Sequence, residues 1–454
     1  MTLSSRRSFL GRSLAGSAIL LSPSQLLAEL LRDSTRQVQG RPWLAAALKA
    51  ERWLTASAQH GPNGIAWPAD PTNPESVSTD LYNGMAGVVL FYLELHNATK
   101  NGQALTMARG GADYLLASLP DEPEKTQMGL YSGVAGTAIV LSYVHRVTGD
   151  DRYQKGVERA LTLLSKGART NGKGVDWNDS TDIISGSAGI GLTLLALSQQ
   201  QAIDAPRLAA LAGDRLIERS QAVGDGRTWL ISPQMPRNYP NFSHGTAGVS
   251  YFLALLSETS GNRSHLDAAL AGERWLRSIA TELPNGGRMI YHSAPGNEQL
   301  FYLSWCHGPA GTARLYRALA TVTKNRAWDE RVNQLALGIQ HMKVPERSPG
   351  FWNNISQCCG NCGVSEFFVA MHRRTGDARH LAYAEEIGHD TLSRATADGD
   401  GLKWIQAEHR VRPELLVAQA GLMQGAAGVG LAMLHLDGAR VGRKPLVRLP
   451  DDSV

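Results

Sequence analysis

NFSHGTAGVSYFLAL, Asn241–Leu255, sets two glycines three residues apart and follows them with a run that is apolar at most positions. Such a run fits a helix buried nearly all round better than an amphipathic surface helix. The pattern recurs as LYNGMAGVVLFYLEL (Leu81–Leu95), GLYSGVAGTAIVLSYV (Gly129–Val144) and IISGSAGIGLTLLAL (Ile183–Leu197). It appears again as SWCHGPAGTARLYRAL (Ser304–Leu319), QCCGNCGVSEFFVAM (Gln357–Met371) and GLMQGAAGVGLAMLHL (Gly421–Leu436). The seven first glycines, Gly84, Gly133, Gly186, Gly245, Gly308, Gly360 and Gly425, lie 49 to 65 residues apart. A repeat of that length is one supersecondary unit stacked on its neighbours.

Several copies run into a turn such as VTGDDRY (Val147–Tyr153), TSGNRSH (Thr259–His265) or RTGDARH (Arg374–His380), with glycine suited to the residue just past a helix end. A more polar, alanine-rich segment follows, as in RLAALAGDRLIERS (Arg207–Ser220). Each repeat therefore reads as one buried helix plus one half-exposed helix. The predicted fold is all-α, an α/α toroid of about seven inner and seven outer helices built from the seven Gly-x-x-Gly repeats. An open superhelix is the competing arrangement. Closure is expected because the inner helices are too apolar to line a solvated concave face. In a closed ring all seven inner-helix N-termini share one end, and the glycines let backbone approach backbone there. For the copies at Gly84, Gly133 and Gly425, packing is the expected role.

The 454 residues carry 43% hydrophobic and 19% charged residues and a net charge of +4, as a soluble globular protein does. No basic stripe points to nucleic acid or a membrane surface. The N-terminus is separate. SRRSFLG (Ser5–Gly11) pairs Arg6 with Arg7 and leads into SLAGSAILL (Ser13–Leu21), which reads as a twin-arginine export signal. Residues 1–28 are set aside as signal peptide, and 29–454 are expected to form one domain in the periplasm or outside the cell. An ordinary basic amphipathic N-terminus is the alternative.

Four copies carry unusual residues at the motif. Asp182 lies four residues before Gly186, and His244 immediately precedes Gly245. Trp305, Cys306 and His307 precede Gly308, and Cys358 and Cys359 precede Gly360. If the repeats superpose, these residues meet at one rim, as a metal-assisted site needs. Cys306, Cys358 and Cys359 would form a three-thiolate zinc site with one position open. Each sits near a helix N-terminus, which favours the thiolate. His307 could replace one cysteine. A disulfide, which an exported protein permits, and free thiols are the alternatives. Cys362 stands where the other copies have alanine and is expected to pack.

SWCHG (Ser304–Gly308), CCG (Cys358–Gly360), NFSHG (Asn241–Gly245), DIISG (Asp182–Gly186) and the seven glycine pairs together resemble the lanthionine synthetase C-like family, over roughly Trp43 to Gly438. The resemblance implies an α/α toroid with zinc at its mouth. It also implies addition of a peptide cysteine thiol across a dehydroalanine or dehydrobutyrine to form a thioether ring, or the handling of glutathione and dehydroamino acids, as in the animal relatives. It makes Cys306 and Cys358 zinc ligands. Cys359 then stands where the family usually has histidine, as in its cyclase domains with three thiolates. Asp182 and His244 match residues proposed in proton transfer. Two positions depart from the family: His307 where tyrosine often follows the first zinc cysteine, and Tyr302 where arginine often precedes it by four.

A free thiol is mostly protonated at neutral pH, and zinc coordination deprotonates it and holds it in place. Attack on the β-carbon of a dehydroamino acid leaves an enolate that needs a proton at Cα. His244 is the expected acid, Asp182 the residue that orients it, and His307 a supporting residue or second proton donor. Trp305 is expected to pack. Tyr302, Trp177 and Trp352 are candidates for the lining of the mouth. The expected function is zinc-dependent thioether formation on a peptide or small thiol by a monomer, with no nucleic-acid partner and no membrane after export. One rival is a carbohydrate-active α/α toroid, a glycosidase or epimerase, which uses paired carboxylates; Asp182 shows no acidic partner at the equivalent rim positions. The other is a non-catalytic exported scaffold with structural zinc.

Overall fold

The computed structural model describes residues 38–200, 202–346 and 354–452. The segment with Arg6 and Arg7, and Trp352, lie outside them. Of the unit Met1–Pro42, residues 38–42 are described; they make a turn closed by Arg41 N–H to Val38 O at 3.0 Å. Trp43–Val454 forms one compact unit.

Fourteen α-helices alternate between the two expected kinds among the described residues. The inner helices are α2 (Met85–Thr99), α4 (Val134–Thr148), α6 (Ser187–Ala196), α8 (Thr246–Ser260), α10 (Pro309–Thr323), α12 (Asn361–Thr375) and α14 (Ala426–Arg440). The outer helices are α1 (Pro42–Ala56), α3 (Gly102–Ala117), α5 (Asp151–Gly167), α7 (Ala205–Arg219), α9 (Arg263–Ser278), α11 (Ala327–His341) and α13 (Ala378–Ser393). Every inner helix packs on the next, and α14 returns to α2, so the ring closes. The outer layer closes too. Trp43 of α1 hydrogen-bonds Glu385 of α13 at 3.2 Å, so the first helix fills the slot after the last inner one.

The helix boundaries follow from the turn chemistry. Gly149, Gly261 and Gly376 end α4, α8 and α12 in the left-handed region, at φ of 67°, 64° and 74°. The next residue but one begins the outer helix. Asp150, Asn262 and Asp377 accept from the backbone N–H of Arg152, Ser264 and Arg379, satisfying orphan donors at the helix start.

The inner helices have no side-chain cap. Instead a loop carbonyl six residues before the first glycine takes the first helical N–H, as Ser78 O takes Met85 N–H (2.9 Å) and Gln419 O takes Ala426 N–H (2.8 Å). The first glycine makes this possible, since a Cβ at Gly84 would lie 2.5 Å from Ser78 O and one at Gly425 2.4 Å from Gln419 O, and the second glycine rests on a further loop carbonyl. A Cβ at Gly311 would lie 1.9 Å from Trp305 O, and one at Gly428 would lie 1.7 Å from Leu422 O. Only a residue without a side chain lets the helix rest on that carbonyl.

Among the described residues, seven two-stranded antiparallel hairpins add to the helices, of which Gln59–Gly61 with Gly64–Ala66 and Gln221–Val223 with Gly226–Thr228 are examples. Strands of two to four residues have no hydrophobic period to read, so the sequence pattern passes over them. Four hairpins are followed by a tryptophan: Trp67, Trp177, Trp229 and Trp404. Each is buried and donates its indole N–H to a carbonyl of the outer helix thirteen residues earlier, at 2.9, 2.6, 2.7 and 2.9 Å. Trp177 is thus a strut and not part of the mouth lining. Trp229→Phe should leave Leu216 O buried and unpaired and destabilise the protein by about 1–3 kcal/mol, read as a lower denaturant midpoint.

The interior of the ring is filled from the C-terminal ends of the inner helices by residues 443–452. Buried Glu94 accepts from Leu446 N–H (2.7 Å) and Val447 N–H (2.9 Å). Tyr251 donates to Pro450 O (3.2 Å). Asp451, with no exposed surface, accepts from Tyr131 (3.0 Å), Arg314 (2.9 Å) and Trp305 Nε1 (2.9 Å). Trp305 therefore packs, as expected, and the tail closes the lumen beneath it.

Candidate metal centre

The mouth is built by a ring of backbone hydrogen bonds. Two residues before the first glycine, or three in the repeat of Gly186, the chain of one repeat donates to the next. Tyr82 N–H reaches Tyr131 O (3.0 Å), Tyr131 reaches Ile184 O (2.9 Å), and Ile183 reaches Ser243 O (3.1 Å). Ser243 reaches Cys306 O (2.8 Å), Cys306 reaches Cys358 O (3.0 Å), Cys358 reaches Met423 O (3.0 Å), and Met423 returns to Tyr82 O (2.8 Å). Side chains from distant positions in the sequence are held within one small circle by this ring.

Cys306, Cys358 and Cys359 meet there, with all three sulfurs within 4.8 Å of one another. Cys359 Sγ lies 3.3 Å from Cys306 Sγ and 3.5 Å from Cys358 Sγ. A disulfide needs about 2.05 Å, and all four cysteines are free thiols, so the disulfide alternative fails in this structure. Two thiolates on a tetrahedral ion at 2.3 Å would stand roughly 3.8 Å apart, close to the spacing seen. Three soft donors with one tetrahedral position left over suit zinc. Burial pushes the Cys306 and Cys358 thiols up, while hydrogen bonds from Cys306 and Cys358 hold Cys359 well below the ordinary thiol value. Cys362 is buried inside α12 and stands outside the cluster.

The first and seventh repeats, expected to serve packing alone, also reach the sulfurs. Tyr82 donates to Cys358 Sγ at 2.9 Å, and Gln424 donates to Tyr82 Oη at 3.1 Å. Burial and then the nearby sulfurs push the Tyr82 phenol up, so it stays a donor. Both residues occupy positions equivalent to the cysteines, one or two before the first glycine. That register, rather than residue type, was the signal that could have identified them.

His244 and Asp182 are joined directly, Nδ1 to Oδ2 at 2.5 Å. Asp182 is buried, and its other oxygen accepts from Ser185 N–H (2.9 Å) and Gly186 N–H (2.7 Å) at the start of α6. The carboxylate is therefore fixed, and it fixes the imidazole. His244, with 30% of its side chain exposed, faces the mouth and acts electrostatically on Cys359.

His307 is buried among rings, 4.3 Å from His292, 5.2 Å from Tyr239 and 5.6 Å from His244 between centroids. Burial holds it well below the ordinary histidine range, and its Nδ1 has no partner. It is a neutral ring beside the cluster, which suits orienting a ligand better than giving a full proton. His292 is lowered to about 4, first by burial and then by Arg410 and Arg237. Tyr302 is buried against His292, tilted with centroids 4.6 Å apart, and is hydrogen-bonded by Arg410.

A cleft of about 520 Å³ opens beside His244 and Tyr82 and runs over the first two repeats, lined by Asp80, Asn83, Ser132 and Glu408. Asp80 corrects the expectation that Asp182 has no acidic counterpart. It stands four residues before Gly84, and it accepts from Asn83 N–H (2.8 Å) and Gly84 N–H (3.0 Å) as Asp182 does in its own repeat. Glu408 accepts from Asn83 (3.4 Å) and Gln419 (3.0 Å).

The family model described as lanthionine synthetase C-like protein matches residues 75–440. The chain is 22% identical over 308 residues to glutathione S-transferase LANCL1 of Danio rerio, covering 66% of this chain and 71% of that one. Among solved structures it is similar to nisin cyclase, with a TM-score of 0.58 and 17% identity over 80% of this chain and 89% of the other. That likeness shows the toroid fold. An α-1,6-mannanase of Salegentibacter sp. aligns at a TM-score of 0.47 and 12% identity, over 88% of this chain and 99% of its own.

Proposed function

We propose, because the chain belongs to the lanthionine synthetase C-like family, that it is a zinc-dependent enzyme joining a thiol to a dehydroamino acid through a thioether bond. The observation that supports this most is the meeting of three free thiols with the Asp182–His244 pair at one mouth. Cys306, Cys358 and Cys359 would hold the ion. A bound zinc ion supplies a thiolate at neutral pH from an incoming thiol, the more nucleophilic for the charge that three cysteine thiolates donate. Tyr82 donates to Cys358 and orients that sulfur.

In the addition, a C–S bond forms at the β-carbon and the C=C π pair moves onto the substrate carbonyl as an enolate. One proton then goes to Cα. His244 gives it. Asp182 occupies Nδ1, so Nε2 is the nitrogen free for the transfer. Arg410 on Tyr302 returns a guanidinium to the place where the family often has arginine, and with Arg237 it gives the rim a positive face for a substrate carboxylate. The cleft over the first two repeats would take the peptide or small thiol. The Arg6–Arg7 segment supports export by the twin-arginine route, so the enzyme would work in the periplasm or outside the cell, as a monomer.

The test is a purified protein given a dehydroalanine peptide and a thiol, glutathione or a cysteine peptide. One thiol should be consumed per dehydroalanine, the rate should fall with a chelator, and zinc should restore it. Asp80 and Glu408 in the cleft keep the carbohydrate-active reading in view. Glycoside hydrolysis that resists the chelator, with no thiol addition, would favour it.

A further inference from the structure

The C-terminal halves of α10 and α12 enclose a cavity of about 250 Å³ with residues 445–452. It is away from the cysteine cluster, which sits at the opposite ends of these helices. Arg317 of α10 projects from the wall of this cavity and is 3% exposed. Its Nε and Nη2 have no hydrogen-bond partner, and its guanidinium lies 5.4 Å over the Phe367 ring. An unpaired buried guanidinium is costly, so its retention calls for an explanation.

The surroundings supply one. Arg373 and Arg374 of α12 and exposed Arg448 of the tail line the same cavity. Neither of the two carboxylates that share the wall hydrogen-bonds the free nitrogens of Arg317, although Asp452 acts on it through its charge. Glu366 is taken by His435 Nδ1 at 2.8 and 2.9 Å. Asp452 lies 3.9 Å from Arg314 and is 42% exposed. Arg374 is paired with Asp329 at 3.0 Å, and Arg373 donates to His435 O at 3.1 Å, so both are already held in place. Burial, opposed first by the charge of Asp452, brings Arg317 down to about 10, still a cation at neutral pH.

We infer that this cavity is a second ligand site, and that it takes a small dianionic oxyanion of the phosphate class. Arg317 would bind it with its two free N–H groups, and Arg373, Arg374 and Arg448 would complete the positive wall. A planar fork of this kind is suited to phosphate oxygens. The space leaves room for a short organic group on the phosphate.

Thermal unfolding of the full protein at constant ionic strength tests this, with chloride replaced stepwise by inorganic phosphate and, in a second titration, by glycerol 3-phosphate. The melting temperature should rise saturably with at least one of them. Response to inorganic phosphate assigns the free ion; response to the ester alone assigns a phosphomonoester. Arg317→Met should weaken the response roughly 10- to 100-fold, as expected for loss of a charged hydrogen-bond partner. In chloride it should raise the melting temperature, because an unpaired buried charge is gone. Arg263→Gln, exposed on α9, should change neither. If Arg317→Met does not fold, Arg373→Gln and calorimetric titration of the wild type carry the test. The inference is overturned if neither ligand protects the wild type, or if the Arg317→Met response equals the wild-type one.

Discussion

Cys306→Ala is expected to lower thioether formation by roughly 10³-fold or more while leaving the toroid folded. Several kcal/mol of transition-state stabilisation depend on the metal, and each 1.4 kcal/mol is tenfold in rate. The substitution leaves two sulfurs of a set whose members all lie within 4.8 Å of one another. Two ligands seldom retain zinc where three are needed. The backbone of residue 306 would keep its place, because its N–H still donates to Cys358 O and its carbonyl still accepts from Ser243. Zinc content and turnover should therefore fall together with little change in melting temperature. A variant that lost activity by unfolding would show a clearly lower melting temperature as well.

His244→Asn should lower the turnover number by about 10²- to 10⁴-fold and leave zinc bound. The residue is exposed at the mouth, so its loss opens no core cavity. Asp182→Asn should be milder in rate, because the imidazole remains but loses its carboxylate. It keeps an oxygen for the N–H groups of Ser185 and Gly186, so the start of α6 should survive. Asp182→Ala, which loses these two hydrogen bonds as well, should lose about 1 kcal/mol of stability on top of activity. An unchanged turnover in His244→Asn would remove this residue from proton transfer.

Much of this was legible in the chain. The seven glycine pairs carried the ring, since a Cβ at the second glycine meets a loop carbonyl at under 2 Å in the cases of Gly311 and Gly428. Thr-Gly-Asp and Ser-Gly-Asn carried the inner-to-outer turns, because each residue has a separate backbone duty there. The cysteines and the Asp182–His244 pair could be placed at one rim because they share a register with the glycines. Other features left fainter marks. Tyr82 and Gln424 look like ordinary loop residues until the ring of hydrogen bonds brings them against Cys358. Trp177 looks like a mouth residue until its indole is seen to hold Leu164 O. The tail that fills the lumen has neither helical nor strand period, and only buried partners such as Glu94 and Tyr131 reveal its path. Arg317 lies in a run that reads simply as helix. Its significance depends on which nitrogens lack partners, and no sequence pattern reports that.

The central claim is that the three cysteines hold a zinc ion whose open position receives the substrate thiol. X-ray absorption at the zinc edge, on the protein alone and then with saturating thiol, tests it most directly. The expected result is one zinc per chain with three sulfur neighbours at about 2.3 Å, rising to four when the thiol is added. Absence of zinc, or a sulfur count that stays at three with thiol present, would contradict it.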